Sequence, residues 1–194
     1  MPTVFIAGSM TIKNIDYKVR ERIANVLDLD FDVIVGDADG VDASIQQLLS
    51  EYGAKKTTVY CAGDRPRNNV ADWPVRCVPT YHAKGSRAYF TAKDVEMAKD
   101  ADYGLMIWDT KSPGTLSNVI ELLTRKKNSV VFINKTKEFK KVVDVTGLEA
   151  LVELMSQDAK MKADAKIGLK ERIAELRSRQ RQFEILSESS REPT

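Results

Sequence analysis

The sequence is poor in the side chains that most often bind transition metals or form disulfides. It has one histidine, His82, and two cysteines, Cys61 and Cys77, which lie at or near apolar stretches. The two cysteines lack the close spacing of a zinc site, so we expect no metal. Since we find no signal-peptide pattern either, we expect buried, reduced thiols in a cytoplasmic protein.

Long apolar runs and an excess of charge of one sign are also missing. No run approaches the roughly 18 apolar residues of a membrane-spanning helix, so we expect no contact with a membrane. The net charge is only +2, from 30 basic and 28 acidic residues. This balance argues against non-specific nucleic-acid binding over the whole surface. With 43% hydrophobic residues, the 194-residue chain is long enough for one domain with a core and an appendage.

What the sequence does contain is an alternation of short apolar runs with longer segments of helical periodicity. The pattern predicts strands at residues 3–7, 31–35, 57–61, 103–108 and 129–134, and helices at residues 15–27, 41–52, 86–99 and 114–125. Such alternation is typical of a mostly parallel sheet covered on both faces. We therefore expect an α/β fold, a Rossmann-like three-layer sandwich over residues 1–146.

The segment 62–84 interrupts this alternation. It is rich in glycine, proline and asparagine, and it predicts a long loop with one short strand at residues 75–78. A loop of this length is usually functional or mobile. Arg65 and Arg67 could fold over an anionic ligand as a lid, or they could belong to a solvated basic loop.

The composition shifts near Gly147, which predicts a C-terminal helical extension over residues 147–186. Residues 148–154 predict a helix that packs on the domain, and residues 156–186 predict one long amphipathic helix. That helix could close on its own domain, pair with a second subunit in a homo-oligomer, or remain a solvated tail helix. We favour the homo-oligomer, and we expect residues 187–194 to be disordered.

Two glycine turns each follow an apolar run and precede a helical segment. The first runs from Gly36 to Asp42 (GDADGVD), and the second from Ser112 to Thr115 (SPGT). A turn of this kind presents backbone N–H groups at a helix N-terminus, which attracts phosphate or carboxylate. Two such turns at one sheet edge would form a pocket of nucleotide size.

These turns carry a resemblance to known families. The turn from Gly36 to Asp42 resembles the G-x-A-x-G-[IV]-D turn of DNA-processing protein A. Ser112–Leu116 resembles the P-G-G-x-G-T-L-x-E turn of the "Lonely Guy" phosphoribohydrolases, and the segment Lys93-Asp94-x-x-Met97 resembles the stretch before that turn. Both families belong to the SLOG superfamily of Rossmann-like nucleotide-binding proteins. The resemblance covers about residues 3–134 and implies a ligand site at the carboxyl ends of the strands.

Ligands of open α/β sheets bind at that edge on physical grounds as well. We therefore expect ligand contacts from Gly8, Ser9, Gly36, Asp37, Gly40, Asp42, Arg87, Gly114, Thr115 and Asn118. Each glycine could instead serve tight packing or an ordinary turn. The Asp42 carboxylate could cap a helix, and Arg87 could be a surface residue. One of the aromatic side chains that flank the loop could stack on a base, or these side chains could only pack at the rim; they are Trp73, Tyr81, Tyr89 and Phe90.

The first turn holds three acids, Asp37, Asp39 and Asp42, which would repel a bare phosphate. We therefore expect this turn to meet sugar hydroxyls or a base. A phosphate would then lie at Gly114 and Thr115, with Arg87 and Lys93 as the nearest cations.

The sequence departs from the enzyme pattern in two places. Asn118 stands where the phosphoribohydrolases have a glutamate, and the second glycine of their P-G-G turn is missing. Cleavage of an N-glycosidic bond needs a carboxylate. That group would have to be Glu121, one helical turn beyond Asn118, or else Asp94 or Asp109.

Three functions remain open from the sequence. The first is a sensor or binding protein for a nucleotide or nucleotide derivative, with no cofactor. The second is an N-glycoside hydrolase or transferase with Glu121 or Asp94 as the catalytic carboxylate. The third, DNA binding, is disfavoured because acids interleave with the basic residues of the C-terminal segment.

Overall fold

The computed structural model describes residues 1–188 and consists of one seven-stranded sheet packed between helices. The strands are β1 Thr3–Gly8, β2 Asp32–Gly36, β3 Thr57–Ala62, β4 Val75–Val78, β5 Tyr103–Trp108, β6 Asn128–Ile133 and β7 Glu138–Val142. The helices are α1 Tyr17–Asp28, α2 Val41–Glu51, α3 Arg87–Asp100, α4 Pro113–Thr124, α5 Val145–Glu153, α6 Gln157–Ile167 and α7 Leu169–Glu188.

The strand order places a topological switch at the centre of the sheet. The order is β4-β3-β2-β1-β5-β6-β7, and every pair is parallel except β6 with β7. The chain moves outward from β1 through β2, β3 and β4, and then returns to the other side of β1 to form β5. In open α/β sheets a crevice forms where neighbouring strands send their connections to opposite faces, here between β1 and β5.

Each face of the sheet buries its own hydrophobic layer. On one face, Val19 and Ile23 of α1 and Ile45 and Leu49 of α2 are fully buried against the strands. On the other face, α3 and α4 pack through side chains such as Met97, Leu116 and Val119. The predicted α/β three-layer sandwich is thus confirmed.

Local sequence signals place the helix starts near the predicted positions. The Asp16 side chain accepts a hydrogen bond from the Lys18 N–H at the start of α1, and the Ser86 hydroxyl accepts one from the Tyr89 N–H at the start of α3. An oxygen-bearing side chain at this position satisfies an N–H group that has no partner within its helix. The short strand predicted within the long loop is also confirmed, as β4.

Two elements differ from the prediction. Strand β7 was not predicted, because its sequence, EFKKV, is mostly polar and its side chains are largely exposed at the sheet edge. The single long helix predicted for residues 156–186 is wrong. Gly168 adopts a left-handed conformation (φ 61°, ψ 45°) that ends α6, and α7 begins at the next residue.

The C-terminal helices share the core of the α3–α4 face. Leu148, Leu151, Ala159, Ala163 and Leu169 are buried in the same cluster as the side chains of α4. Residues 187 and 188, predicted to be disordered, continue α7, and the rest of that predicted tail lies outside the described residues. In the described part of the chain, no helix combines the length and the apolarity that a membrane span requires.

The two thiols lie in different environments. Cys61 on β3 is buried, as predicted, but Cys77 on β4 is exposed because β4 is the edge strand of the sheet. Over residues 1–188, no three His, Cys, Asp or Glu side chains are grouped so that they could hold a metal ion.

Candidate functional site

The candidate site is a cleft of about 430 Å³ at the carboxyl ends of the central strands. We call it the switch-point cleft, since the end of β1 and the N-terminus of α4 form two of its walls. Helix α3 and the start of α2 form the others. The residues that line it are Ala7, Gly8, Met10, Ala38, Asp42, Arg67, Arg87, Phe90, Thr91, Lys93, Asp94, Ser112, Gly114, Thr115 and Asn118.

A buried lysine shared by three carboxylates forms the floor of the cleft. The Lys93 Nζ lies 3.1 Å from Asp94 Oδ1, 3.6 Å from Asp42 Oδ2 and 3.8 Å from Asp37 Oδ1. The side chains of Lys93 and Asp37 are 5% and 4% exposed, whereas that of Asp94 is 25% exposed. Three acids from two separate segments therefore share one cation in a region that water barely reaches.

This arrangement shifts the proton affinities of the group. Burial opposes the charged form of Lys93, but the carboxylates of Asp94, Asp42 and Asp37 outweigh it and raise the lysine pKa. Burial raises the pKa of Asp42 to about 6, which attraction to Lys93 only partly offsets. Asp42 therefore titrates closer to neutral pH than an ordinary aspartate.

Asp37 is held differently, by an arginine from the long loop. Arg67 donates to its carboxylate through Nε (3.0 Å), Nη2 (2.8 Å) and the backbone N–H (3.0 Å). Burial acts to raise the pKa of Asp37, but these hydrogen bonds and the nearby positive charges hold it below its usual value. The Arg67 guanidinium also lies 4.6 Å from the centre of the Phe90 ring, so the loop closes over one side of the cleft.

The N-terminus of α4 is built by a network of small polar side chains. The Ser112 hydroxyl accepts a hydrogen bond from the Thr115 N–H (3.4 Å), and the Ser9 hydroxyl accepts one from the Asp109 N–H (3.1 Å). The Asp109 carboxylate in turn accepts the N–H groups of Lys111 (2.8 Å) and Ser112 (2.7 Å). Burial acts to raise the pKa of Asp109, but these hydrogen bonds outweigh it and keep the pKa below its usual value. The turn before α4 is thus fixed in place.

The glycines at and around the cleft differ in how much space a side chain would have there. A Cβ on Gly8 would lie 2.2 Å from the Ile107 carbonyl oxygen, and one on Gly40 would lie 2.3 Å from the Met10 carbonyl oxygen. A Cβ on Gly36 would lie 2.2 Å from Asp42 Oδ2 and 2.3 Å from Lys93 Nζ. These three positions are explained by tight packing. A Cβ on Gly114, by contrast, would come no closer than 3.9 Å to Ser112 Oγ, its nearest contact beyond the adjoining residues and the backbone of α4. The space beside the Gly114 backbone is therefore open.

Asn118 is the most unusual polar side chain of the cleft. It lies on the second turn of α4 and is only 6% exposed. Within residues 1–188 we find no hydrogen-bond partner for its amide. The Asn118 amide atoms are not among the fully buried polar atoms without a partner in the described residues, which are Thr57 Oγ1 and Ser129 Oγ. The amide therefore meets the open space of the cleft, where it suits a ligand that supplies both a donor and an acceptor.

The structure brings only part of the predicted site together. The predicted residues that line the cleft are Gly8, Asp42, Arg87, Asp94, Gly114, Thr115 and Asn118. Ser9, Gly36, Asp37 and Gly40 are not among the lining residues; they are buried around it, where they hold the lining residues in place. Ser9 is fully buried, and its hydroxyl lies 3.3 Å from that of Thr115.

Glu121 does not line the cleft. Its carboxylate pairs with Arg125 Nη1 at 2.5 Å and also with the guanidinium of Arg172 on α7. Arg172 reaches Ser117 as well, at 2.8 Å, so Glu121 joins α4 to the C-terminal helix. The i,i+3 relation to Asn118 does place both residues on α4, but Asn118 lines the cleft whereas Glu121 pairs with Arg125 and Arg172.

Sequence reasoning missed Met10 and Thr91 as lining residues. Thr91 had a usable signal, because Arg87, Thr91 and Asp94 follow one another at the spacing of a single helix face. Met10 had none, because its position depends on the backbone contact with Gly40.

Comparison with known proteins adds no assignment. No protein-family model matches this sequence. No curated protein matches it either. The functional argument therefore depends on the residues of the switch-point cleft.

Proposed function

We propose that this protein binds a nucleotide or a nucleotide derivative in the switch-point cleft, as the SLOG resemblance suggests. The observation that carries the proposal is the Asn118 amide, which faces the cleft, is 6% exposed and has no partner in the described part of the chain. A ribose hydroxyl both donates and accepts hydrogen bonds, so it can satisfy the two ends of an amide.

The cleft is lined by groups of both charges, which supports different contacts for the parts of such a ligand. Arg87 is exposed, and the open backbone at Gly114 lies in the first turn of α4. Backbone N–H groups and an arginine favour phosphate beside these two residues. The carboxylates of Asp42 and Asp94 would repel phosphate and accept hydrogen bonds from sugar hydroxyls instead.

Phe90 and Arg67 supply a wall for a base. The guanidinium and the ring are in contact, as described above, and both line the cleft. Planar groups of this kind stack on any nucleobase, which contributes on the order of 1–3 kcal/mol per base. They provide affinity without selecting one base.

The test is calorimetric titration with nucleoside monophosphates, nucleoside diphosphates and ADP-ribose. We expect saturable binding by at least one of them, and a loss of about tenfold or more in Asn118→Ala, because a hydrogen bond in a buried site is worth about 1–3 kcal/mol. Arg87→Gln should weaken the binding of phosphorylated ligands and leave the affinity for the corresponding nucleoside unchanged. Arg181→Gln on the exposed side of α7 is the matched control and should bind like the wild type. Absence of binding at millimolar concentrations of every ligand would refute the proposal.

A second candidate function is cleavage of an N-glycosidic bond in the bound nucleotide. The observation that favours it is that the cleft contains two carboxyl groups, Asp94 and Asp42, and that the pKa of Asp42 is raised to about 6. A carboxyl with a pKa near neutrality can both give and accept a proton. Release of free base, measured by chromatography, should disappear in Asp94→Asn or Asp42→Asn while ligand binding persists. Binding without any base release in the wild type supports the sensor function instead.

We further propose that the protein is a homo-oligomer through the end of α7. Phe183, Ile185 and Leu186 are 61%, 66% and 67% exposed on this helix, which supports a contact with a second subunit. Light scattering of the wild type should give a multiple of the chain mass, and Ile185→Lys should lower it. A monomeric wild type at micromolar concentration would exclude the contact.

A further inference from the structure

The two cysteines of the chain are direct neighbours across two strands. Cys61 on β3 and Cys77 on β4 occupy paired positions of the parallel ladder, and their sulfur atoms lie 3.5 Å apart. Neighbouring strands are about 4.8 Å apart, which falls within the Cα separation of about 4.4–6.8 Å found in disulfides. Rotation of the side chains can bring the sulfur atoms from this distance toward the S–S bond length of about 2.05 Å.

The pair is asymmetric in a way that assigns a role to each thiol. Cys77 is exposed on the edge strand, whereas Cys61 is completely buried. Burial, followed by the neighbouring Cys77, raises the pKa of Cys61 to about 12, so Cys61 seldom ionises while both thiols are reduced. The Cys61 thiol lies within donor distance of both the Cys77 sulfur (3.5 Å) and the Gly63 carbonyl oxygen (3.9 Å), so Cys61 is held beside its neighbour. An oxidant from solution therefore reacts first with Cys77.

We propose that Cys61 and Cys77 are a redox-sensitive pair that forms a reversible intrachain disulfide when the protein meets a hydroperoxide. In the first step the Cys77 sulfur attacks the peroxide, the O–O bond breaks, and Cys77 becomes a sulfenic acid while an alcohol or water leaves. In the second step the Cys61 sulfur attacks the Cys77 sulfur, the S–O bond breaks, and the hydroxide takes the Cys61 proton and leaves as water. With hydrogen peroxide, two thiols and one peroxide yield one disulfide and two waters.

The position of the pair connects this chemistry to the segment beside the cleft. Residues 63–76 lie between the two cysteines and include Arg67 and Asn68, which donate hydrogen bonds to the carboxylate and the carbonyl of Asp37. The Cys77 sulfur lies 3.3 Å from the Asp64 carbonyl oxygen at the start of this segment. Strand β4 is an edge strand, paired only with β3. A disulfide would therefore close the segment between the two cysteines into a covalent loop and link β4 to β3.

The test oxidises the native full-length protein with hydrogen peroxide, blocks the remaining thiols with N-ethylmaleimide, and measures the intact mass and the peptide map. We expect a mass decrease of two hydrogen atoms with no maleimide added, one cross-linked peptide pair containing Cys61 and Cys77, and reversal by a thiol reductant. Amide hydrogens of β4 should exchange more slowly in the oxidised protein. The midpoint of thermal unfolding should rise by several degrees.

Two variants separate this pathway from simple oxidation of an exposed thiol. Cys61→Ser leaves Cys77 with no resolving partner, so its sulfenic acid should accumulate and react with dimedone several-fold more than in the wild type. Cys77→Ser should resist oxidation under the same conditions. Equal dimedone labelling of the wild type and Cys61→Ser, or cross-linking between chains instead of within one, would overturn the proposal. Because the peptide map of the wild type alone decides whether the bond forms, a folding defect in either variant does not obscure the result. None of these measurements depends on nucleotide binding.

Discussion

The ammonium of Lys93 lies 3.6 Å from the carboxylate of Asp42, and the two groups come from different helices, α3 and α2. Both side chains are almost entirely removed from water, at 5% and 9% exposure. In such surroundings a charge is tolerated only when it is paired. Asp37 and Asp94 surround the same ammonium, so Lys93 joins α3 to the turn before α2 and to the start of α2.

Replacement of Lys93 by methionine should therefore be strongly destabilising at neutral pH. It leaves carboxylates buried without their cation, and we expect a loss of about 3–5 kcal/mol in the free energy of unfolding. Urea denaturation at pH 7 measures this. Lys99→Met on the same helix is the control: Lys99 is 64% exposed and forms a surface ion pair with Glu96, so the loss in the free energy of unfolding should be below about 1 kcal/mol. Equal effects of the two substitutions would contradict the role of Lys93.

Asp42 should impose a distinctive pH dependence on stability. Its pKa in the folded protein is about 6, above the ordinary value of 3.8, because burial disfavours the charged form. The folded state then binds the proton more tightly than the unfolded state, so the contribution of Asp42 to stability falls as pH rises from about 4 to about 6. Asp42→Asn stays neutral throughout this range.

The free energy of unfolding of Asp42→Asn, relative to the wild type, should accordingly increase from pH 4 to pH 7, by up to about 3 kcal/mol. Chemical denaturation at several pH values measures the difference. Comparison with the wild type removes the opposite trends of Asp37 and Asp109, whose lowered pKa values make the protein less stable as pH falls. A difference that stays constant with pH would show that burial does not raise the pKa of Asp42 in the folded protein.

The two glycines Gly40 and Gly53 form a matched pair for testing close packing. Both have positive φ, 80° and 66°, but a Cβ would meet the Met10 backbone only at Gly40. Gly53→Ala should cost about 1–2 kcal/mol for the left-handed backbone alone. Gly40→Ala should cost more than about 3 kcal/mol, because the Met10 segment must move as well. Thermal and urea denaturation measure both, and similar losses would mean that the contact with Met10 is easily relieved.

Glu121 should prove structural. Glu121→Gln weakens its pairing with Arg125 and Arg172, so we expect a loss of about 1–3 kcal/mol in stability and faster amide exchange in α7. Ligand affinity and any base release should match those of the wild type. Glu138→Gln on the exposed edge strand serves as the control and should leave both properties unchanged. Loss of base release in Glu121→Gln without loss of stability would restore Glu121 as a catalytic residue.

Much of the fold was predictable because its signals are local. Apolar runs separated by helical periodicity identify the central strands and α1 to α4, and the caps at Asp16, Ser86 and Ser112 lie next to the helices that they start. Strand β7 and the break at Gly168 were not predicted. The first is an exposed edge strand with little apolar pattern, and the second is a single left-handed glycine between two segments that are both helical.

The site was predictable in location but not in detail. The two glycine turns did indicate the sheet edge at which the cleft lies, and Asp42, Gly114 and Asn118 line it. The spacing along α4 could not show that Arg172, more than fifty residues away, would take up the Glu121 carboxylate. Nor could it show how closely Gly36 and Gly40 pack against Asp42, Lys93 and Met10.

The sequence by itself determined the alternation of strands and helices, because the spacing of apolar residues along the chain sets which positions of each element can be buried. The tertiary structure alone decided which distant groups share an environment: three aspartates around Lys93, Glu121 with Arg172, and Cys61 beside Cys77. The physical reason is that charge pairing, desolvation and thiol chemistry depend on distances of a few ångströms between segments. Those distances are set only when the strands assemble in their final order and the helices pack on the sheet.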